Sequence, residues 1–158
     1  MASSARGFTL IELLMTLAIV SVLAAAAFPL SEMSARRMKE RELREGLWQI
    51  RLAIDAYKQA TDDGRVQKAS NHSGYPPDLR TLVEGVTNAK DPAGAKIYFL
   101  RRVPRDPFAD DPTLPPEGTW GRRSYASPPD EPRAGADVFD VFSTSARNGL
   151  NGVPYREW

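Results

Sequence analysis

The chain has 158 residues, a formal net charge of +1 and no cysteine. The balanced charge gives no indication of a nucleic acid or an acidic substrate as a partner, and the lack of cysteine excludes disulfides, thiolate metal ligands and a cysteine nucleophile. Twelve of the 13 prolines lie in the C-terminal two thirds of the chain. They predict one small domain that is rich in loops and has short strands.

An apolar run extends from residue 8 to residue 30, after a short leader in which Arg6 is the charged side chain. As a helix, this run of about 23 residues would be roughly 35 Å long, which is enough to cross a bilayer. Glu12 is the one ionisable residue within it. A carboxylate in hydrocarbon costs several kcal/mol unless it finds a partner, so we interpret Glu12 as a functional position.

An ordinary signal peptide or signal anchor is the alternative interpretation of this N-terminus. Residues 24–27 are four alanines, which could imitate the small-residue cleavage site of such a peptide. Glu12 inside the run and Pro29 just after the alanines fit that alternative poorly.

The segment GFTLIE (residues 7–12), followed by the apolar run, resembles the class III leader and N-terminal helix of type IV pilins and type II secretion pseudopilins. The resemblance implies that a prepilin peptidase cuts between Gly7 and Phe8 and that Phe8 is N-methylated. It also implies that Glu12 serves assembly by pairing with the N-terminal amine of a neighbouring Phe8. Pro29 stands where many members of this family carry a helix-kinking proline, and a proline within a helix removes a backbone hydrogen bond and bends it.

Residues 31–62 are predicted to continue the same helix in amphipathic form. Apolar side chains at helical spacing form one face, which Trp48 and Leu52 are expected to widen: Leu43, Leu47, Ile50, Ile54 and Tyr57, flanked by Ala53 and Ala60. The helix is thus apolar all round in its first half and apolar on one side in its second. This change predicts lipid or neighbouring subunits around the first half and a folded domain against the second.

The charged stretch at residues 36–45 mixes both signs. Glu40 with Arg44, and Arg41 with Glu45, are spaced as i,i+4 ion pairs. A solvated helix face and ion pairing between subunits remain equally open here. Gly64 is the expected C-cap that ends the helix.

Residues 63–158 are predicted to form the globular domain of an α+β fold, with the long N-terminal helix packed on a small antiparallel sheet. The expected elements are a short helix over residues 75–86, an apolar segment over residues 97–108 that covers the long helix, and a hairpin of strands at residues 120–127 and 137–143. The tail, residues 144–158, is expected to pack back onto the sheet.

The segments LRRVPRDPF (residues 100–108) and DVFDVFS (residues 137–143) are similar to motifs of the major, G-type pseudopilins of type II secretion. That resemblance implies a calcium site in the loop after the last strand, and calcium needs six to eight oxygen ligands, several of them charged. Here Arg147 stands where an aspartate would be expected, and Asp137 and Asp140 alone do not make a site. We therefore expect a divergent member without metal or cofactor, whose apolar tail holds the loop instead.

No enzyme motif is present: phosphate loop, zinc spacing and nucleophile elbow are all missing from the sequence. The single histidine, His72, has no partner ligands in view on its polar loop. Acidic pairs such as Asp62-Asp63 fit solvated loops better than acid–base catalysis. Catalytic residues are therefore not expected.

The resemblance implies a structural subunit of a secretion pseudopilus that assembles with itself and with other pseudopilins. The further implied partners are the prepilin peptidase, the inner-membrane secretion platform and membrane lipid. The implied location is the bacterial inner membrane, crossed once, with the C-terminal domain in the periplasm. The basic residues after the apolar run would, on their own, favour the opposite orientation. A type IV pilus subunit and a membrane-tethered enzyme or binding protein are the alternatives.

Overall fold

The computed structural model describes residues 7–68 and 72–158, without the side chains of residues 26–30. Its main element is a helix of 53 residues, α1 (Leu10–Asp62). The chain forms two compact units, Met1–Met38 and Lys39–Trp158. A long N-terminal helix and short antiparallel strands confirm the predicted α+β class.

The C-terminus of α1 is closed by Gly64, as the sequence predicts. Gly64 has a φ of +71°, a left-handed conformation that glycine adopts without strain. Its N–H donates to the carbonyl of Thr61 at 2.9 Å, and the N–H of Arg65 donates to the carbonyl of Ala60 at 2.8 Å. This pair of bonds is the Schellman motif, and it satisfies carbonyls that the helix end would otherwise leave unpaired.

The second half of α1 supplies one wall of the hydrophobic core. The predicted apolar face is buried in full: Leu43, Leu47, Ile50, Ala53, Ile54, Tyr57 and Ala60. The predicted widening of this face is wrong, because Trp48 is 66% exposed and Leu52 is 48% exposed. Helical spacing identifies the direction of the core, but the width of the buried stripe depends on what covers it.

Short elements cover this face of α1. Helix α2 (Leu79–Glu84) is shorter than predicted, since Asp78 caps its N-terminus by accepting a hydrogen bond from the N–H of Thr81, and Gly85 ends it at a φ of +73°. Strands β1 (Val86–Thr87) and β2 (Lys96–Ile97) then form a two-stranded antiparallel ladder, which the sequence did not predict. Leu79 and Leu82 of α2 and Phe108 beyond β2 are buried in the core.

The predicted hairpin is confirmed with shorter strands. Strands β3 (Trp120–Arg123) and β4 (Asp140–Ser143) are antiparallel, with Trp120 opposite Ser143 and Gly121 opposite Phe142. A Cβ added at Gly121 would lie 2.3 Å from the Phe142 ring, so glycine is required for this close approach. Val141 of β4 is fully buried and places the hairpin on the core.

The tail packs back onto the domain, as expected. It ends in a single 3-10 turn, Tyr155–Glu157, and the side chain of Tyr155 is fully buried. The Tyr155 ring stacks on Phe108, with 4.1 Å between ring centroids, and meets Trp158 edge-on at 5.0 Å. The end of the described chain is therefore part of the core.

Candidate assembly site and C-terminal loop

Helix α1 begins with a capping box built from Thr9 and Glu12. The hydroxyl of Thr9 accepts from the N–H of Glu12, and the N–H of Thr9 donates to Oε2 of Glu12, both at 3.3 Å. The two residues thereby satisfy two of the N–H groups that every helix start leaves unpaired. The carboxylate also lies in the first turn, where the helix dipole favours negative charge. Glu12 therefore has a local role in a single chain, besides any role between chains.

The apolar side chains around Glu12 are exposed. Phe8, next to Gly7 at the predicted cleavage point, is 80% exposed, and the large side chains that follow are all more than half exposed: Leu10, Ile11, Leu13, Leu14, Met15, Leu17, Ile19, Val20, Val22 and Leu23. A contiguous apolar surface of this extent marks a membrane or protein interaction site.

The predicted leader and the predicted kink lie largely outside the described part of the chain. Residues 1–6 are not described, and neither is the side chain of Pro29, although helix α1 runs through that position. Across the described residues, no helix combines the length and the apolar character needed to cross a membrane. Cleavage at Gly7, methylation of Phe8, assembly through Glu12 and the bend at Pro29 stay predictions.

In the second unit, Glu40 ties the tail to α1. Its side chain is 6% exposed, and Oε1 accepts from the N–H of Leu150 at 2.7 Å and from the hydroxyl of Tyr155 at 2.9 Å. Glu40 therefore does not lie on a solvated face. A buried carboxylate is tolerated when donors compensate its lost hydration, and these two donors come from the loop and the tail.

Two arginines of α1 hold the same region. The guanidinium carbon of Arg44 lies 4.4 Å from the centroid of the Trp158 ring, a cation–π distance. Arg51 donates to Oδ1 of Asp140 at 2.8 Å and to the carbonyl of Trp158 at 2.8 Å. Arg123 approaches the other oxygen of Asp140 at 3.6 Å. The α1 helix thus contacts both β4 and the tail through charge as well as apolar packing.

The carboxylates near the loop are already engaged by protein donors. Asp106, 1% exposed, accepts from the N–H of Phe108 at 2.8 Å and from the hydroxyl of Ser143 at 2.6 Å. Asp137 accepts from the hydroxyls of Ser73 and Ser124 and from the N–H of Tyr125. Burial on its own would raise the pKa of Asp137, but these three hydrogen bonds and the nearby His72 outweigh it and lower that pKa.

Arg147 occupies the position where the resemblance would place a calcium ligand. Its Nη2 lies 3.3 Å from the carbonyl oxygen of Phe108, which accepts the hydrogen bond, and 3.6 Å from Oδ1 of Asp110. Its Nε donates to the hydroxyl of Ser145 at 3.4 Å, and the guanidinium carbon lies 5.2 Å from the centroid of the Phe108 ring. The guanidinium therefore bridges two separate segments of the chain.

These residues fit a calcium ion poorly. Asp137 and Asp140 are already paired with protein donors, and Asp140 lies between two arginines, Arg51 and Arg123. The positive guanidinium of Arg147 also repels a divalent cation from the loop. Over residues 7–68 and 72–158, no group of three or more histidine, aspartate or glutamate side chains is arranged to hold a metal.

Two comparisons with known proteins found similar sequences. Residues 2–28 match the family described as the prokaryotic N-terminal methylation motif. Over 155 residues the chain is 25% identical to the type II secretion system core protein G of Klebsiella michiganensis. The aligned region covers 96% of this chain and 87% of that relative. The chain therefore carries a prepilin-type N-terminal motif and is similar along most of its length to a type II secretion core protein. No solved structure matches this chain.

Three features of the structure were not predicted from the sequence. The capping box has a sequence signature, Thr-x-x-Glu just before an apolar run, and could have been found at Thr9 and Glu12. The burial of Glu40 has no local signature, since its partners Leu150 and Tyr155 lie more than a hundred residues away in sequence. The contacts of Arg147 also depend on the fold.

Proposed function

We propose that this chain is a structural, non-catalytic subunit of a type II secretion pseudopilus. In this proposal a prepilin peptidase removes residues 1–7, Phe8 is N-methylated, and the subunit assembles with other copies and other pseudopilins on an inner-membrane secretion platform. The methylation motif at residues 2–28 carries the proposal. The similarity to a core secretion protein along nearly the whole chain supports the same conclusion.

The exposed apolar surface of the first half of α1 explains how such a subunit could exist in two environments. Before assembly, the single-pass helix would lie in the lipid of the inner membrane, with the C-terminal domain in the periplasm. During assembly it would exchange lipid for the helices of neighbouring subunits. Apolar side chains stay covered in both states, so the exchange costs little in hydrophobic free energy.

Glu12 would be the one costly group in this exchange. Away from water, its carboxylate needs a positive partner, and the amine of a neighbouring Phe8 would offset that cost and fix the position of one subunit relative to the next. The capping box uses Oε2 of Glu12, and a carboxylate has further acceptor sites for such an amine.

Two substitutions at Glu12 separate the local role from the role between subunits. Glu12→Ala removes both the capping box and the charge, whereas Glu12→Gln keeps a side chain that can complete the box but has no charge. We expect both variants to be present in membranes and to form no fibres, as measured by separating sheared fibres from membranes. Fibre formation by Glu12→Gln at the normal level would show that the charge is dispensable and would contradict the pairing with Phe8.

A further inference from the structure

The loop that follows β4 depends on a contact with a distant segment of the chain. It is closed on itself by an N–H···O bond of 2.8 Å from Gly149 to Val153 and by a bridge between Asn148 and Pro154. Its start, at residues 143–147, lies beside the segment of residues 106–110, where Ser143 donates to Asp106. Oxygen atoms from both segments also lie near the side chain of Arg147.

Arg147 places a positive charge between the two segments. Its guanidinium meets a carbonyl oxygen from Phe108, a hydroxyl oxygen from Ser145 and a carboxylate oxygen from Asp110, at 3.3, 3.4 and 3.6 Å. A carbonyl, a hydroxyl and a carboxylate are the kinds of oxygen that also bind calcium. In this chain they contact a cation that is covalently part of the loop and whose side chain is 57% exposed.

We propose that Arg147 is a built-in cation that closes the C-terminal loop in place of a bound metal, so that the loop is ordered without calcium. The guanidinium suits this position because it is planar, always charged and able to donate several hydrogen bonds in fixed directions. Its face also packs over the Phe108 ring, which an ion could not do. This proposal concerns the fold of the domain and does not depend on whether the chain assembles into a fibre.

The test uses the full chain, purified in detergent, and follows unfolding by tryptophan fluorescence in calcium and in a calcium chelator. A ligand stabilises a protein only if it binds the native state, so the midpoint temperature of the unmodified chain should differ by less than about 1 °C between the two buffers. Limited proteolysis within residues 143–152 should likewise proceed at the same rate in both. A rise of several degrees with calcium, or loop protection that requires calcium, would overturn the proposal.

Substitutions at Arg147 complete the test. Arg147→Met keeps much of the side-chain length without the charge and should lower the midpoint by about 2–6 °C in both buffers, with faster cleavage of the loop. Arg147→Lys keeps the charge but not the forked geometry, so its midpoint temperature should lie between those of the unmodified chain and Arg147→Met. Arg133→Met is the matched control, because the guanidinium of Arg133 pairs with Glu131, only two residues away, and does not join distant segments. It should change neither readout. Unchanged unfolding and cleavage in Arg147→Met would equally contradict the proposal.

Discussion

The two halves of helix α1 have the same backbone conformation and opposite relations to their surroundings. Between Leu10 and Leu23, every large apolar side chain of the first half is more than half exposed. In the second half, Leu43 and Ile50 are fully buried while Trp48, on the other side of the helix, stays exposed. Backbone hydrogen bonding maintains the helix in both halves. What differs is the apolar area: the chain's own domain covers it in the second half, and in the first half it stays exposed.

Apolar content and apolar periodicity therefore predict different things. An unbroken apolar run has no preferred side and predicts an environment that is apolar all round. A run with helical spacing has one side and predicts a domain packed against it. Substitutions of the same kind in the two halves should therefore have opposite consequences for folding and for assembly.

The largest expected effect is on folding, at Ile50. Ile50→Ala removes a fully buried side chain and leaves a cavity, which should lower the free energy of unfolding by about 2–5 kcal/mol. Leu17→Ala is the matched control in the other half, since Leu17 is 61% exposed and its truncation should change the unfolding of the single chain by less than about 0.5 kcal/mol. Denaturant unfolding of both variants in detergent measures the difference. Equal losses of unfolding free energy in the two variants would contradict the difference in burial between the two halves of α1.

The next effect concerns Glu40, near the start of the buried half. Glu40→Ala leaves the Leu150 N–H and the Tyr155 hydroxyl without this acceptor, and the free energy of unfolding should fall by about 1–3 kcal/mol. Glu40→Gln retains an acceptor oxygen and should lose less, which thermal unfolding of the two variants would reveal. If both variants behaved like the unmodified chain, Glu40 would not hold the tail on the helix.

A smaller effect follows from the lowered pKa of Asp137. Its contribution to stability is present above the usual carboxyl pKa of 3.8 and is lost as the pH falls through its lower value in the folded domain. Between about pH 7 and pH 3, the unmodified chain should therefore lose more stability than Asp137→Asn, whose side chain has no charge to lose. Midpoint temperatures across this range give the comparison. Parallel curves for the two chains would indicate that Ser73 and Ser124 do not stabilise the carboxylate.

The smallest expected effect is at Trp48, where the sequence predicted burial. Because this side chain is 66% exposed, Trp48→Ala should change the free energy of unfolding by less than about 0.5 kcal/mol. Thermal unfolding of the variant is sufficient to measure this. A loss comparable with that of Ile50→Ala would instead indicate that Trp48 is part of the buried apolar face.

The sequence predicted those parts of the fold that depend on local pattern. Helical spacing identified Leu43, Ile50 and Ile54 as core residues, and a single glycine, Gly64, marked the end of α1. The strands β1 and β2 were not predicted, because two residues each are too few to show an alternating pattern.

The C-terminal loop shows what the sequence could not predict. The sequence indicated that a cation at Arg147 is incompatible with a calcium site, which is a statement about charge alone. The partners of its guanidinium, Phe108 and Asp110, lie almost forty residues earlier in the chain. Only the packing of the domain brings these two segments together.

The central claim is that this chain is processed at Gly7 and joins a fibre through its new N-terminus. Intact-mass measurement of the protein extracted from membranes tests this most directly. The account predicts a chain that begins at Phe8 and carries one added methyl group. A chain that retains residues 1–7, or one that begins at Phe8 without a methyl group, would contradict it.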